Sequence, residues 1–165
     1  MNSLDRAKEK AASYLARSSR TEKEVRDYLK RKNFCQQDID ETVIEFKEYR
    51  YIDDRRYCHS FFEYGLRKSW GEYRIIMELE KRGVPREISS NEFQDYLYEN
   101  EIDEDFERQE ALKVGRKIVE LADVTDDHLP DKIKGRVIRR LQSYGYSRSD
   151  IFSVITELER ERREF

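Results

Sequence analysis

The sequence predicts an all-α protein: three tandem three-helix repeats forming an elongated, curved stack, right-handed or left-handed. Three observations carry this reading. Apolar residues recur at three- and four-residue steps along the 165-residue chain, and no alternating run is long enough for a sheet. A pattern in Glu22 to Phe34 returns twice: Val25, Leu29 and Phe34 reappear 50 residues later as Ile75, Leu79 and Val84, and a further 62 residues on as Val137, Leu141 and Tyr146. Composition agrees, because 37% hydrophobic and 42% charged residues suit thin layers of amphipathic helices better than one thick core. A disordered polyampholyte is the alternative that composition leaves open; 11 Tyr and 8 Phe at helical spacings oppose it, since disordered chains are poor in aromatics.

The repeats read as 1–52, 53–102 and 103–165, the last with a loop insertion near 119–131. In the first, a helix over about Leu4 to Arg17 places Leu4, Ala7, Ala11, Tyr14 and Leu15 on one face. Ser18-Ser19-Arg20 breaks it. Thr21 with Glu24 three residues later is a capping box, so the central helix starts there. It stops near Asn33, because Asn and Gly accept the left-handed backbone found just past helix ends, and Gly83 and Gly145 hold the same place in the other copies. A third helix over about Asp38 to Arg50 sets Ile39, Val43 and Phe46 on one face, echoed by Ile151, Ile155 and Leu158 and by Phe93 and Tyr96.

Tyr51-Ile52-Asp53-Asp54-Arg55-Arg56-Tyr57 marks the first joint, and Glu101-Ile102-Asp103-Glu104-Asp105-Phe106 marks the second. Asp53 or Asp54 is expected to cap the next helix; acid/base chemistry or a metal is the competing reading, but neither joint has a glycine-rich loop or a histidine. In the second repeat, Ser69-Trp70-Gly71-Glu72 predicts a Ser-x-x-Glu cap with Trp70 packed beside it, a base-stacking role being the alternative. Pro85 stops the central helix. From Glu92 to Glu110 nine acidic residues meet a single Arg108, as a solvated helix pair or as a surface that repels phosphate or receives a basic partner. The twelve extra residues of the third repeat fall between Arg116 and Ile133, around Val124 to Pro130, with Pro130 in the first turn of the next helix.

No catalytic, cofactor or metal site emerges. There is no phosphate loop, no C-x-x-C and no G-x-S-x-G. Cys58 and His59 are adjacent, but neighbours on a helix diverge by about 100° and make a poor dyad. Asp123, Asp126, Asp127 and His128 lack metal-loop spacing. A net charge of −3 argues against indiscriminate binding to nucleic acid. Two unpaired cysteines and the absence of a signal peptide or long apolar run predict a reduced, cytoplasmic chain without a membrane span. What recurs is basic charge on each central helix: Lys23, Arg26 and Lys30; Arg74, Lys81 and Arg82; Arg136, Arg139 and Arg140. These either solubilise the helices or form one stripe that meets phosphates or an acidic protein surface.

At this point the chain resembles the bacterial RecX regulatory proteins. The resemblance rests on Tyr14-Leu15-Ala16-Arg17, Leu29 to Phe34, Tyr51-Ile52-Asp53-Asp54-Arg55 with Tyr57, Leu79-Glu80-Lys81-Arg82-Gly83-Val84, and Leu141 to Ser147 with Ile151. Their order and spacing carry it. The chain departs in having Asn33 and Arg50 where family members often have glycine. The resemblance implies three three-helix repeats, no cofactor and no reaction of its own. Its partner would be the RecA recombinase or its filament on single-stranded DNA, whose recombination, ATP hydrolysis and SOS activity it restrains as a monomer. Direct nucleic-acid binding through the basic central helices, with single- or double-stranded DNA as the partner, is the alternative.

Overall fold

The computed structural model describes residues 2–164 and places nine α-helices and no strand among them. In order these are α1 (Ser3–Leu15), α2 (Glu22–Arg31), α3 (Gln36–Glu48), α4 (Asp54–Arg67), α5 (Glu72–Lys81), α6 (Arg86–Glu99), α7 (Phe106–Leu121), α8 (Asp131–Tyr144) and α9 (Arg148–Arg163). They form two compact units. The first holds the chain up to Phe61 together with Glu78–Glu92, and the second holds Phe62–Met77 and the chain from Phe93 onward, so α4, α5 and α6 each contribute to both.

In the first unit α1, α2 and α3 pack around Ala7, Ala11, Val25, Leu29, Ile39, Val43, Phe46 and Ile52. All but Ile52, which the sequence places in the joint, are apolar positions expected from periodicity, and their burial is the main force holding the three helices together. Local chemistry sets where each helix begins. Asn2 and Asp5 form a capping box on α1, and Thr21 and Glu24 form the expected one on α2. The third helix starts earlier than the sequence predicts, because the Cys35 thiol accepts the Asp38 N–H at 3.5 Å and opens α3 at Gln36.

In the second unit α7, α8 and α9 enclose Ala111, Leu129, Ile133, Val137, Leu141, Tyr146, Ile151, Val154 and Leu158. Phe62 meets Phe93 and Tyr96 edge-on, with centroids 5.0 and 5.4 Å apart. Residues 122–130 connect α7 to α8 without helix, and Arg162 ties them down by donating to the Val124 and Asp126 carbonyls. Two expectations are corrected here. Ser69 does not cap α5: its φ of +56° makes it the left-handed residue that ends α4, and α5 begins behind Gly71. Pro130 is the residue before α8, where its carbonyl accepts the Ile133 and Lys134 N–H groups, and not a member of the first turn.

The central helices end alike. Asn33, Gly83 and Gly145 have φ of +64°, +87° and +83°. At each, the following residue donates its N–H to the carbonyl five positions back: Phe34 to Leu29, Val84 to Leu79 and Tyr146 to Leu141, at 3.1 to 3.2 Å. This is the Schellman arrangement with its apolar contact. The sequence repeat at these positions is therefore the signature of a helix end.

The heads of central helices also meet tails, in the same way in each unit. In the first, the Thr21 hydroxyl donates to the Arg82 carbonyl at 2.6 Å, and the Lys23 stem covers Gly83 so closely that an added Cβ would lie 2.2 Å from Lys23 Cδ. In the second, the Gly71 N–H donates to the Tyr144 carbonyl at 2.7 Å, and a Cβ on Gly145 would lie 2.4 Å from the Arg74 backbone nitrogen. A carboxylate from the next helix closes each head: Asp54 accepts the Glu22 N–H at 2.8 Å, and Glu107 accepts the Glu72 N–H at 2.5 Å.

Candidate functional site

In the first unit α2, the end of α3, the start of α4 and the α5–α6 turn enclose an open groove of about 830 Å³. Lys23, Arg26 and Lys30 line it from α2, joined by Lys47, Arg50 and Arg55, which the sequence reading did not include. The sequence signal for these three is the cluster of cations around the first joint, outside the central helix. Most of this charge is answered within the groove. Lys23 pairs with Asp27 at 2.6 Å, Arg26 with Glu22 at 2.9 Å and Asp40 at 2.5 Å, Lys47 with Glu22 at 2.8 Å, and Arg55 with Glu92 at 2.8 Å. Burial alone would raise the Glu22 carboxyl, but the bonds from Lys47 and Arg26 outweigh it and hold the group below its ordinary value. Among the described residues no carboxylate lies within ion-pair distance of Lys30 or of the Arg50 guanidinium.

The second set divides. Lys81 is exposed and pairs with Glu78 at 3.0 Å. Arg82 is held by the Glu78 carboxylate and carbonyl and lies over the Phe61 ring, 4.7 Å from its centroid. Arg74, in the other unit, lies 4.1 Å over Trp70 and donates to the Ser143 carbonyl at 2.8 Å. Arg74 and Arg82 thus hold helix ends in place. Trp70 packs between Arg74 and Tyr64, as its position beside a helix start suggested.

The third set behaves otherwise. Arg136, Arg139 and Arg140 are exposed on α8, and among the described residues none has a carboxylate within ion-pair distance. Arg139 lies along its own helix over Gly135, and Arg140 lies 5.5 Å from the Tyr144 ring centroid. Lys134 on the same helix is neutralised by Glu159. The structure therefore groups Lys23, Arg26, Lys30, Lys81 and Arg82 in the first unit and Arg74, Arg136, Arg139 and Arg140 in the second.

Asp53 takes the expected capping role, accepting the Arg56 N–H at 3.0 Å, while Asp54 turns to the head of α2. Burial raises Asp54 and pushes Glu107 up to about 7, the latter helped by Glu72 and Asp150. Burial likewise pushes the Cys58 thiol up to about 12, which leaves it protonated and unreactive at neutral pH. His59 meets Glu92 at 3.2 Å. Among the described residues no group of three potential metal ligands comes together, and no helix is long and apolar enough to cross a membrane.

Known proteins are similar to this chain in sequence and fold. A family model described as RecX, first three-helix domain, matches residues 7–46, and one described as RecX, second three-helix domain, matches residues 53–90. The regulatory protein RecX of Clostridium acetobutylicum is 34% identical over 153 residues, covering 92% of this chain and 68% of the relative. That of Caldanaerobacter subterraneus subsp. tengcongensis is 33% identical over 141 residues, covering 86% of this chain but only 62% of the relative's length. The crystal structure of RecX from Lactobacillus salivarius superposes with a TM-score of 0.78 over 95% of this chain and 97% of that one; at 20% identity it speaks for the fold.

Proposed function

The chain belongs to the RecX family, and from that premise we propose that it binds the RecA recombinase, or its filament on single-stranded DNA, and restrains recombination, ATP hydrolysis and the SOS response. The observation that carries this reading is the ordered match to both three-helix domain models, supported by relatives named as regulatory proteins. The protein acts in the cytoplasm as a monomer, by binding and without a reaction of its own. The repeat boundaries at 52/53 and 102/103 are part of the same proposal, as is the use of basic charge in contacting the partner.

The test is DNA-dependent ATP hydrolysis and strand exchange by RecA. Added protein at micromolar excess is expected to slow both, and to co-sediment with RecA filaments. Unchanged rates with no co-sedimentation would sink the proposal.

A second reading has one observation in its favour. Arg136, Arg139 and Arg140 form an exposed basic face on α8 without carboxylate partners, as a helix binding phosphates directly would need. Filter binding of DNA across a salt series separates the two, since a pure RecA ligand retains no DNA at low salt.

A further inference from the structure

The joint after α3 exposes two aromatic rings side by side. Tyr49 and Tyr51 are 66% and 61% exposed, and their centroids lie 6.1 Å apart with the planes tilted by 41°. Tyr51 also meets the buried Phe46 ring edge-on at 5.5 Å, so the pair is anchored to the core. Between them Arg50 has φ of +57°, a left-handed conformation in which a glycine would sit without strain. Arg50 lines the groove of the first unit together with Lys30, and among the described residues neither has a carboxylate within ion-pair distance, although Asp27 and Asp40 lie near enough to Lys30 for its charge to lower their carboxyls. Elsewhere a large exposed ring can lie among like charges of the wrong sign: Tyr98, 87% exposed, sits in the acidic stretch.

Exposed ring faces beside cations without direct ion pairs answer the two chemical features of an unpaired nucleic-acid strand, whose bases offer π-faces and whose backbone offers phosphates. A duplex hides its base faces, and an acidic peptide has no use for the rings. We propose that Tyr49, Arg50 and Tyr51, with Lys30 in the adjoining groove, form a binding site for single-stranded nucleic acid. Bases stack on the two tyrosines and phosphates lie against Arg50 and Lys30. The rings already touch one another at 6.1 Å, so each takes a base on its outer face. With two such cations the salt dependence is shallow, a slope of about −1.4 in log K against log salt for two single-strand phosphates. The site goes beyond the RecA reading and requires no RecA.

The test is fluorescence anisotropy of a labelled oligothymidylate, about 20 nucleotides long so as to exceed a single-strand site, titrated with the purified chain alone. Saturable binding with the shallow slope and quenching of tyrosine fluorescence is expected. Tyr49→Leu with Tyr51→Leu should weaken binding about 30-fold or more, the loss of two stacking platforms. Arg50→Gly, which suits the backbone, should lower the slope by about 0.7. Photo-crosslinks from 5-iodouracil should fall on Tyr49 or Tyr51. Tyr49→Leu alone provides the same readout at an exposed position should the Tyr51 change unfold the chain. No binding by the wild-type chain at low salt, wild-type affinity in both tyrosine variants, equal competition by duplex, or crosslinks confined to α8 would each overturn the proposal. Loss of oligonucleotide binding with RecA inhibition intact separates this site from the function proposed above.

Discussion

The first and third central helices follow one plan down to individual hydrogen bonds, yet they present their charge differently. Each ends in a left-handed residue, and each sends the following N–H back to a buried leucine, Leu29 in α2 and Leu141 in α8. On α2, Lys23 and Arg26 are tied to Asp27, Glu22 and Asp40, whereas on α8 Arg136, Arg139 and Arg140 have no such partners among the described residues. The caps differ too. Asn33 is exposed, while Gly145 is buried beneath the Arg74 backbone. The copies thus share core and cap positions while their electrostatics differ, so a repeated basic residue type is not a repeated available charge.

Substitutions can sharpen or break this comparison. The largest effect tests the shared part: Leu29→Ala and Leu141→Ala should each lose about 2 to 5 kcal/mol in chemical denaturation, since both side chains are fully buried. A loss confined to one of them would end the claim of a common plan. Next comes the cap. Gly145→Ala forces a left-handed alanine against a backbone nitrogen 2.4 Å away and should lose about 3 kcal/mol by strain and overpacking, against about 1 kcal/mol for Asn33→Ala. Equal losses would show that the roof over Gly145 is loose.

A smaller effect comes from the carboxylates that close the helix heads. Glu107 titrates near 7 in the folded protein, raised by burial, against about 4.3 when unfolded. The folded state therefore holds the extra proton, and its stability falls as pH rises from about 4.5 to about 8, by at most about 3.5 kcal/mol before solvent screening. Glu107→Gln should flatten that slope in urea titrations at several pH values; an unchanged slope would assign the pH dependence elsewhere. The smallest effect on stability separates the two charged faces. Reversing Arg136, Arg139 and Arg140 to Glu should change stability by under about 0.5 kcal/mol, whereas Arg26→Glu should lose about 1 to 2 kcal/mol by stranding Glu22 and Asp40. The α8 change should also reduce retention on RecA filaments.

Most of the fold was legible because its determinants are local. Thr21 with Glu24 marks a helix start, and Asn33, Gly83 and Gly145 mark ends, whatever lies around them. Cys35 gives no clear start signal because thiols rarely cap helices, and Ser69 is ambiguous because the same residue type can start a helix or end one. The proposed charged surface was the least legible part. Whether Arg74 or Arg82 is available depends on the Ser143 carbonyl and the Phe61 ring, partners brought near only by tertiary structure. Tyr49 reads as the end of the third helix and Tyr51 as part of a joint, since nothing in their spacing distinguishes an exposed ring from a packed one.

The bond from the Thr21 hydroxyl to the Arg82 carbonyl joins groups 61 positions apart in the chain. During synthesis at about 5 to 20 residues per second, roughly 3 to 12 s pass between the appearance of donor and acceptor. The local box between Thr21 and Glu24 needs no such wait, so α2 can form early while its outer contact is still missing. Closing that contact is a high-contact-order event, and such events are the slow ones in folding. The nascent first unit therefore waits on the end of α5 before its second helix is fully secured.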